Sequence, residues 1–259
     1  MVSQLQPVST VDLYYICQMV DNVARNPMPY LRNVDGIFGD MPSVSLTRNY
    51  PKWTCFHIFI EELISSVVWE GAEYGEPVHP RLWVCHLLNA NNFSYDFPQP
   101  DAANVQHVSA GEFIETLSDE GTIELLCEHI AKQAFHVLFS NRKTMAAFGG
   151  MVSDFVLHAA PSFAPKAFTA AGHLKRTQPP VWARNAIFHR DKGHCVLCNT
   201  DLTKLVSQQS KLHFDHIVPL ALGGLNCVTN LQLTCADCNL GKGARSSATT
   251  HEYEPWYDY

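Results

Sequence analysis

Cys195 and Cys198 are separated by two residues, and so are Cys235 and Cys238. That spacing lets the backbone turn tightly over an ion while both thiolates reach one side of it, at about 2.3 Å for zinc. Taken alone, one such pair could equally be a redox couple or two unrelated buried thiols. Two pairs bracketing one compact segment point instead to a closed four-thiolate site holding structural Zn2+. A segment of this size buries too little core to fold without such a staple. Between and beside the pairs stand Asp215, His216, Pro219, Gly223-Gly224 and two asparagines, Asn230 and Asn239. A carboxylate next to an imidazole is the material for a second, harder metal site with a proton acceptor beside it.

The elements that would position these groups are short. Residues 212–218 alternate well enough for a strand, Pro219 and Gly223-Gly224 turn the chain, and 231–233 form a return strand. A helix is predicted from about Ala236 through Lys242. The order D-H, P, G-G, N-L, C-x-x-C-N, K-G over residues 195–243 resembles the HNH endonuclease family, in its branch with paired zinc knuckles. The resemblance implies a ββα-metal finger that cuts phosphodiester bonds of DNA, as in restriction and anti-phage effectors. It implies His216 as the general base acting on water and Asp215 as the carboxylate for the catalytic metal. Asn230 matches the middle asparagine, which orients the base and braces the loop. Asn239 takes the last position, where histidine or asparagine supplies a second metal ligand, so this chain is an H-N-N variant.

The chemistry of the residue types agrees. A carboxylate and an amide oxygen are hard ligands suited to Mg2+ or Mn2+ with several waters retained, whereas a histidine at the last position would favour softer ions. A histidine of ordinary pKa is a competent base near neutrality, worth roughly 10²–10⁴ in rate. Each residue also has a plainer use: Asp215 can cap or pair, and Asn230 and Asn239 can serve turns and helix ends. His213 shares a strand face with Asp215 and is expected to be structural or to touch phosphate. Lys175, Arg176, Arg184, Arg190 and Lys192 precede the finger, interrupted only by Asp191, and Lys242 and Arg245 follow it. These seven are the candidate nucleic-acid contacts, giving sequence-independent, salt-sensitive affinity. Two alternatives stand beside this reading: a non-catalytic zinc module that binds nucleic acid, and a nuclease that acts only with a partner or on RNA.

The 259 residues suit two domains. Residues 1–170 carry 9 Lys+Arg against 18 Asp+Glu, net −9, and residues 171–259 carry 9 against 7, net +2. The acidic part is a poor DNA surface and a reasonable protein-binding one, so a protein partner is expected there. No apolar run is long enough to span a membrane, and no signal peptide is visible. Cys17, Cys55, Cys85, Cys127 and Cys227 are scattered through apolar surroundings, as free buried thiols of a reducing, cytoplasmic protein would be.

The fold expected is a mainly α N-terminal domain, residues 1–158, plus a small α+β zinc-stapled ββα-metal domain, residues 181–250. A proline- and alanine-bearing linker, 159–180, joins them, and an acidic aromatic tail, 251–259, suits docking. Helices are predicted over 9–25 (capped by Ser9 or Thr10), about 52–69, 109–121 with a Ser109/Glu112 capping box, 122–140, 141–158 and 181–192. Residues 81–90 read as a short buried element, and 27–52 and 91–108 mostly as loop. No catalytic motif is visible in residues 1–158.

Overall fold

A computed structural model describes residues 12–28, 42–71, 78–79, 82–98, 108–158, 160–205 and 211–250. The helix cap expected at Ser9 or Thr10 and the aromatic tail lie outside these residues. The helices are α1 (Leu13–Arg25), α2 (Pro42–Thr47), α3 (Cys55–Glu70), α4 (Trp83–Ala90), α5 (Ala110–Asp119), α6 (Thr122–Leu138), α7 (Arg142–His158), α8 (Ala160–Phe163) and α9 (Val181–Arg190). Strands β1 (Leu212–His216) and β2 (Leu231–Cys235) pair antiparallel, and α10 (Ala236–Lys242) follows directly. The architecture is therefore a mainly helical region with one small α+β finger. No helix among the described residues is long and apolar enough to cross a membrane.

The chain folds into two compact units. The first comprises Met1–Val20 and His57–His136. Its core comes from one apolar stripe per helix: Ile16 and Val20 of α1, Phe59, Ile60 and Ile64 of α3, Leu87 and Leu88 of α4, Phe113 and Leu117 of α5. On α6, Ile123, Leu126, Ile130 and Ala134 are buried at the helical spacing visible in the sequence. The Ser109 hydroxyl accepts from the Glu112 N–H at 3.2 Å while Glu112 Oε2 accepts from the Ser109 N–H at 2.8 Å, a reciprocal box that starts α5. His57 lies flat on Phe135, ring centroids 3.8 Å apart.

The second unit comprises Asp21–Phe56 and Val137–Tyr259, so the finger shares its unit with α7, α9 and the segment around Tyr50. Phe56 meets Phe148 of α7 edge to face at 4.9 Å. Residues 160–180 hold α8, a 3-10 turn at Pro165–Ala167 and a bridge between Phe168 and Leu174, both of which are buried. At Gly149 a Cβ would stand 3.0 Å from Val218 Cγ2, so α7 rests closely on the loop after β1.

Asp191, at the end of α9, ties three elements together. Its Oδ1 accepts from Arg142 Nη1 of α7 at 3.0 Å and from Arg190 Nε at 2.8 Å. Its Oδ2 accepts from Arg190 Nη2 at 2.9 Å and from the Leu233 N–H of β2 at 2.8 Å. The carboxylate is fully buried, and Arg190 is 2% exposed with its guanidinium also over the Phe139 ring at 4.9 Å.

Candidate functional site

The four sulfur atoms of Cys195, Cys198, Cys235 and Cys238 all lie within 4.8 Å of one another. The Cys198–Cys235 separation is 3.7 Å. Sulfurs on the corners of a tetrahedron about 2.3 Å from zinc would be roughly 3.8 Å apart, so the donor set fits that ion. The first knuckle turns through Asn199 at φ 57°, with the Asn199 N–H donating to the Cys195 carbonyl at 2.8 Å. The Val196 N–H donates to Leu233 O at 2.9 Å, fastening the knuckle to β2. Cys235 caps α10, its sulfur accepting from the Cys238 N–H at 3.4 Å.

The cluster borders a second group of polar residues. In the β1–β2 register Asp215 lies opposite Gln232 and His213 opposite Thr234. Asp215 is buried, and its Oδ2 accepts from Gln232 Nε2 at 3.0 Å and pairs with Lys242 Nζ of α10 at 2.9 Å. Lys242, 1% exposed in its side chain, also donates to the His216 carbonyl at 2.7 Å. Both contacts to the carboxylate fall on Oδ2. Asn239 donates from Nδ2 to His213 Nδ1 at 2.8 Å. That bond turns the amide so that Oδ1 faces away from the imidazole.

Asn230 is fully engaged with the loop. Its Oδ1 accepts from the Val218 N–H at 2.8 Å, and its Nδ2 donates to Val218 O at 2.9 Å and Leu225 O at 3.0 Å. A Cβ on Gly224 would fall 1.9 Å from Val218 O and 2.8 Å from Asn230 Nδ2, so only glycine fits inside this clasp. Asn230 thus braces the turn, and its side-chain bonds go to backbone rather than to His216.

His216 is 4% exposed and held down to about pKa 4. Burial is the main cause; the Arg176 guanidinium adds to it, while Asp215 and the Asn226 side chain oppose it. Arg176 Nη2 stands 3.4 Å from His216 Nδ1, and His216 Nε2 is buried with no hydrogen-bond partner. An arginine only donates, so Nδ1 offers its lone pair. Asn226, 1% exposed, uses Nδ2 on Asn49 Oδ1 at 2.9 Å and on Lys175 O at 2.8 Å, leaving Oδ1 buried without a hydrogen bond.

Of the seven basic candidates, Lys175, Arg176, Arg184, Lys192 and Arg245 are exposed. The structure commits the other two to internal work: Arg190 to Asp191 and Leu231 O, and Lys242 to Asp215 and His216 O. Sequence reasoning missed Asn226, Gln232, Asn49 and Tyr50. Asn226 and Gln232 each interrupt an otherwise apolar run, a usable signal; Asn49 and Tyr50 sit in a stretch with none.

The family model for HNH endonucleases matches residues 195–251, which span both knuckles, both strands and α10. No curated protein and no solved structure matches the chain. Residues 195–251, with their four-cysteine cluster and ββα finger, are an HNH endonuclease domain of the zinc-knuckle kind.

Proposed function

We propose that this protein is a metal-dependent endonuclease that hydrolyses phosphodiester bonds of DNA. Asp215 and Asn239 would hold a divalent metal and His216 would activate the water. The observation that carries this reading is the state of Asp215. One carboxylate oxygen, Oδ2, is anchored by Lys242 and Gln232, and His213, two residues before Asp215 on β1, holds the Asn239 amide; Asp215 Oδ1 and Asn239 Oδ1 would be the metal ligands. Two hard oxygen donors suit Mg2+ or Mn2+. Bound there, the ion supplies Lewis-acid charge at the scissile phosphate and at the leaving 3′ oxygen. His216 is neutral at physiological pH because it is buried, so it is in the form that accepts a proton. Its pKa of about 4 departs from the ordinary value expected from the sequence and makes it a weaker base in the free protein. Asn230 keeps the turn after β1 rigid, so the imidazole is held in place by the loop rather than by a direct contact. The exposed basic residues Lys175, Arg184, Lys192 and Arg245 supply the backbone affinity.

The test compares wild type and His216→Ala on supercoiled plasmid and on single-stranded RNA, with Mg2+ and with Mn2+, while zinc content reports on folding. Cutting of plasmid by the wild type alone is expected. Equal cutting by both proteins removes His216 as the base, and cutting of RNA only replaces the substrate. No cutting by the wild type overturns hydrolysis by the chain on its own.

A further inference from the structure

We propose that Arg176, which lies outside the matched family segment, is a catalytic residue. In this role its guanidinium occupies the lone pair of His216 in the free enzyme and transfers to the scissile phosphate when substrate arrives. The inference rests on the nuclease reading above and adds a residue and a gating step to it.

Three observations carry it. The first is bracing on both sides of an exposed side chain. Lys175 O accepts from Asn226 Nδ2 at 2.8 Å, and Thr177 O accepts from the Tyr50 hydroxyl at 3.2 Å. Thr177 Oγ1 donates to Asn49 Oδ1 at 3.1 Å, Asn226 Nδ2 reaches the same oxygen at 2.9 Å, and the Tyr50 N–H donates to Asn226 O at 2.8 Å. A lysine or arginine that only adds to a general positive field gains nothing from a backbone fixed so thoroughly. One that must meet a reacting group does.

The second is the missing anion. Arg25, Arg142 and Arg190 each pair with a carboxylate, Asp21 or Asp191. Arg176 pairs with none among the described residues, as is also true of Arg48, Arg184 and Arg245, and what sets it apart is the 3.4 Å contact of its guanidinium to His216 Nδ1. That contact lies at the long end of the hydrogen-bond range. It is far weaker than the paired, charge-assisted bonds a guanidinium makes to a phosphodiester. The exchange is therefore downhill once a phosphate is present.

The third is the unpartnered end of the imidazole. His216 Nε2 is buried without a partner, and so is Asn226 Oδ1, whose Nδ2 is already used twice. The Asn226 side chain interacts with His216. It is the natural acceptor for an Nε2 proton, which leaves Nδ1 as the basic nitrogen on the side where Arg176 sits.

The step balances without an added reagent. The guanidinium leaves Nδ1 and binds a non-bridging phosphoryl oxygen. Nδ1 takes a proton from water, the water oxygen forms its bond to phosphorus, and the bond from phosphorus to the 3′ oxygen breaks. The 3′ oxygen takes up a proton from solvent, and Nδ1 gives its proton back to solvent, so the imidazole is neutral again. Without a phosphate to draw Arg176 away, Nδ1 stays occupied.

The test uses the full chain with the metal that supports plasmid cutting. Arg176→Ala should lower kcat by about 10²-fold, the usual size for removing one preorganised donor. KM should move far less, and so should affinity for a short duplex measured with zinc retained and no added Mg2+ or Mn2+. Added guanidinium ion, below its denaturing range, should restore much of the loss, and ethylammonium should not. Arg176→Lys should keep the affinity and recover little of kcat. A loss confined to KM and duplex affinity would overturn the proposal in favour of a plain tether. Wild-type kcat in Arg176→Ala, or a loss that guanidinium does not rescue, would overturn it while leaving His216 and the nuclease reading in place. No cutting by the wild type would overturn both.

Discussion

Replacing Asp191 with alanine tests whether Arg190 belongs to the fold or to the substrate. The carboxylate is fully buried and accepts four hydrogen bonds, two from Arg190, one from Arg142 and one from the Leu233 N–H. Arg190 is 2% and Arg142 12% exposed, so neither guanidinium can turn to water without moving its helix. Breaking a buried pair from one side costs about 3–5 kcal/mol, because the partner charge is left uncompensated. The stranded Leu233 N–H adds roughly 1 kcal/mol or more. Asp191→Asn keeps the shape and one acceptor and should cost about half as much. At about 2–4 °C per kcal/mol for a chain of this length, the alanine variant should melt roughly 10 °C or more below the wild type. Urea unfolding with zinc present, followed by tryptophan fluorescence and by thermal melts, gives the number. A change under about 0.5 kcal/mol, the size of an ordinary surface substitution, would refute the network and return Arg190 to the solvent.

Other consequences are narrower. Cys195→Ser should abolish stoichiometric zinc binding and open residues 195–242 to proteolysis; a variant that keeps both zinc and protection would dismiss the four-thiolate assignment. Gly224→Ala drives a methyl into the Val218 carbonyl and the Asn230 amide. It should cost several kcal/mol, roughly 3 or more, and lower plasmid cutting while zinc content stays intact. His57 is held down to about pKa 4, first by burial and then by Lys132. Its unfolded form still titrates near 6.5, so protons favour unfolding. The contribution is intact above about pH 6.5 and is lost as pH falls toward 4, a loss of roughly 2–3 kcal/mol at pH 4.5. His57→Phe, which keeps a ring against Phe135, should flatten the urea midpoint over that window by the same amount.

The parts of this molecule legible in the sequence are those fixed by neighbours in the chain. Ser109 and Glu112 announce their capping box across three residues, the stripe from Ile123 to Ala134 follows one helix, and each Cys-x-x-Cys carries its own turn. The hairpin follows from alternation and the Gly223-Gly224 turn. What escaped is fixed by groups distant in sequence. Asp191 follows Arg190 directly in the chain, but only the fold buries that carboxylate against Arg142 and the Leu233 N–H, 49 and 42 positions away. Lys242 reads as a phosphate contact until Asp215, 27 positions earlier, is brought to 2.9 Å from it. Asn226 gains its meaning from Asn49, which is 177 positions away. Residues 160–180, rich in proline and alanine, read as a connection, but Phe168 and Leu174 are buried and that burial gives the segment a fixed course.

The same distinction sets the salt dependence expected of the proposed DNA binding. Seven basic residues flank the finger in sequence, and if each neutralised one phosphate the slope of log K against log salt would be about −6.3. Arg190 and Lys242 are spent on Asp191 and Asp215, and a paired, buried cation releases no counterion from DNA. Five remain, Lys175, Arg176, Arg184, Lys192 and Arg245, so the slope should be no steeper than about −4.5. Those five are not equivalent, since Arg176 in the free protein is turned toward His216. Binding measured without divalent metal should therefore respond to Arg184→Ala or Lys192→Ala by a slope change of about one, and to Arg190→Ala only through stability. A slope near −6, falling by one in Arg190→Ala of unchanged melting temperature, would mean that this side chain leaves its buried carboxylate to reach the DNA. Asp191 could not then be what joins α7, α9 and β2.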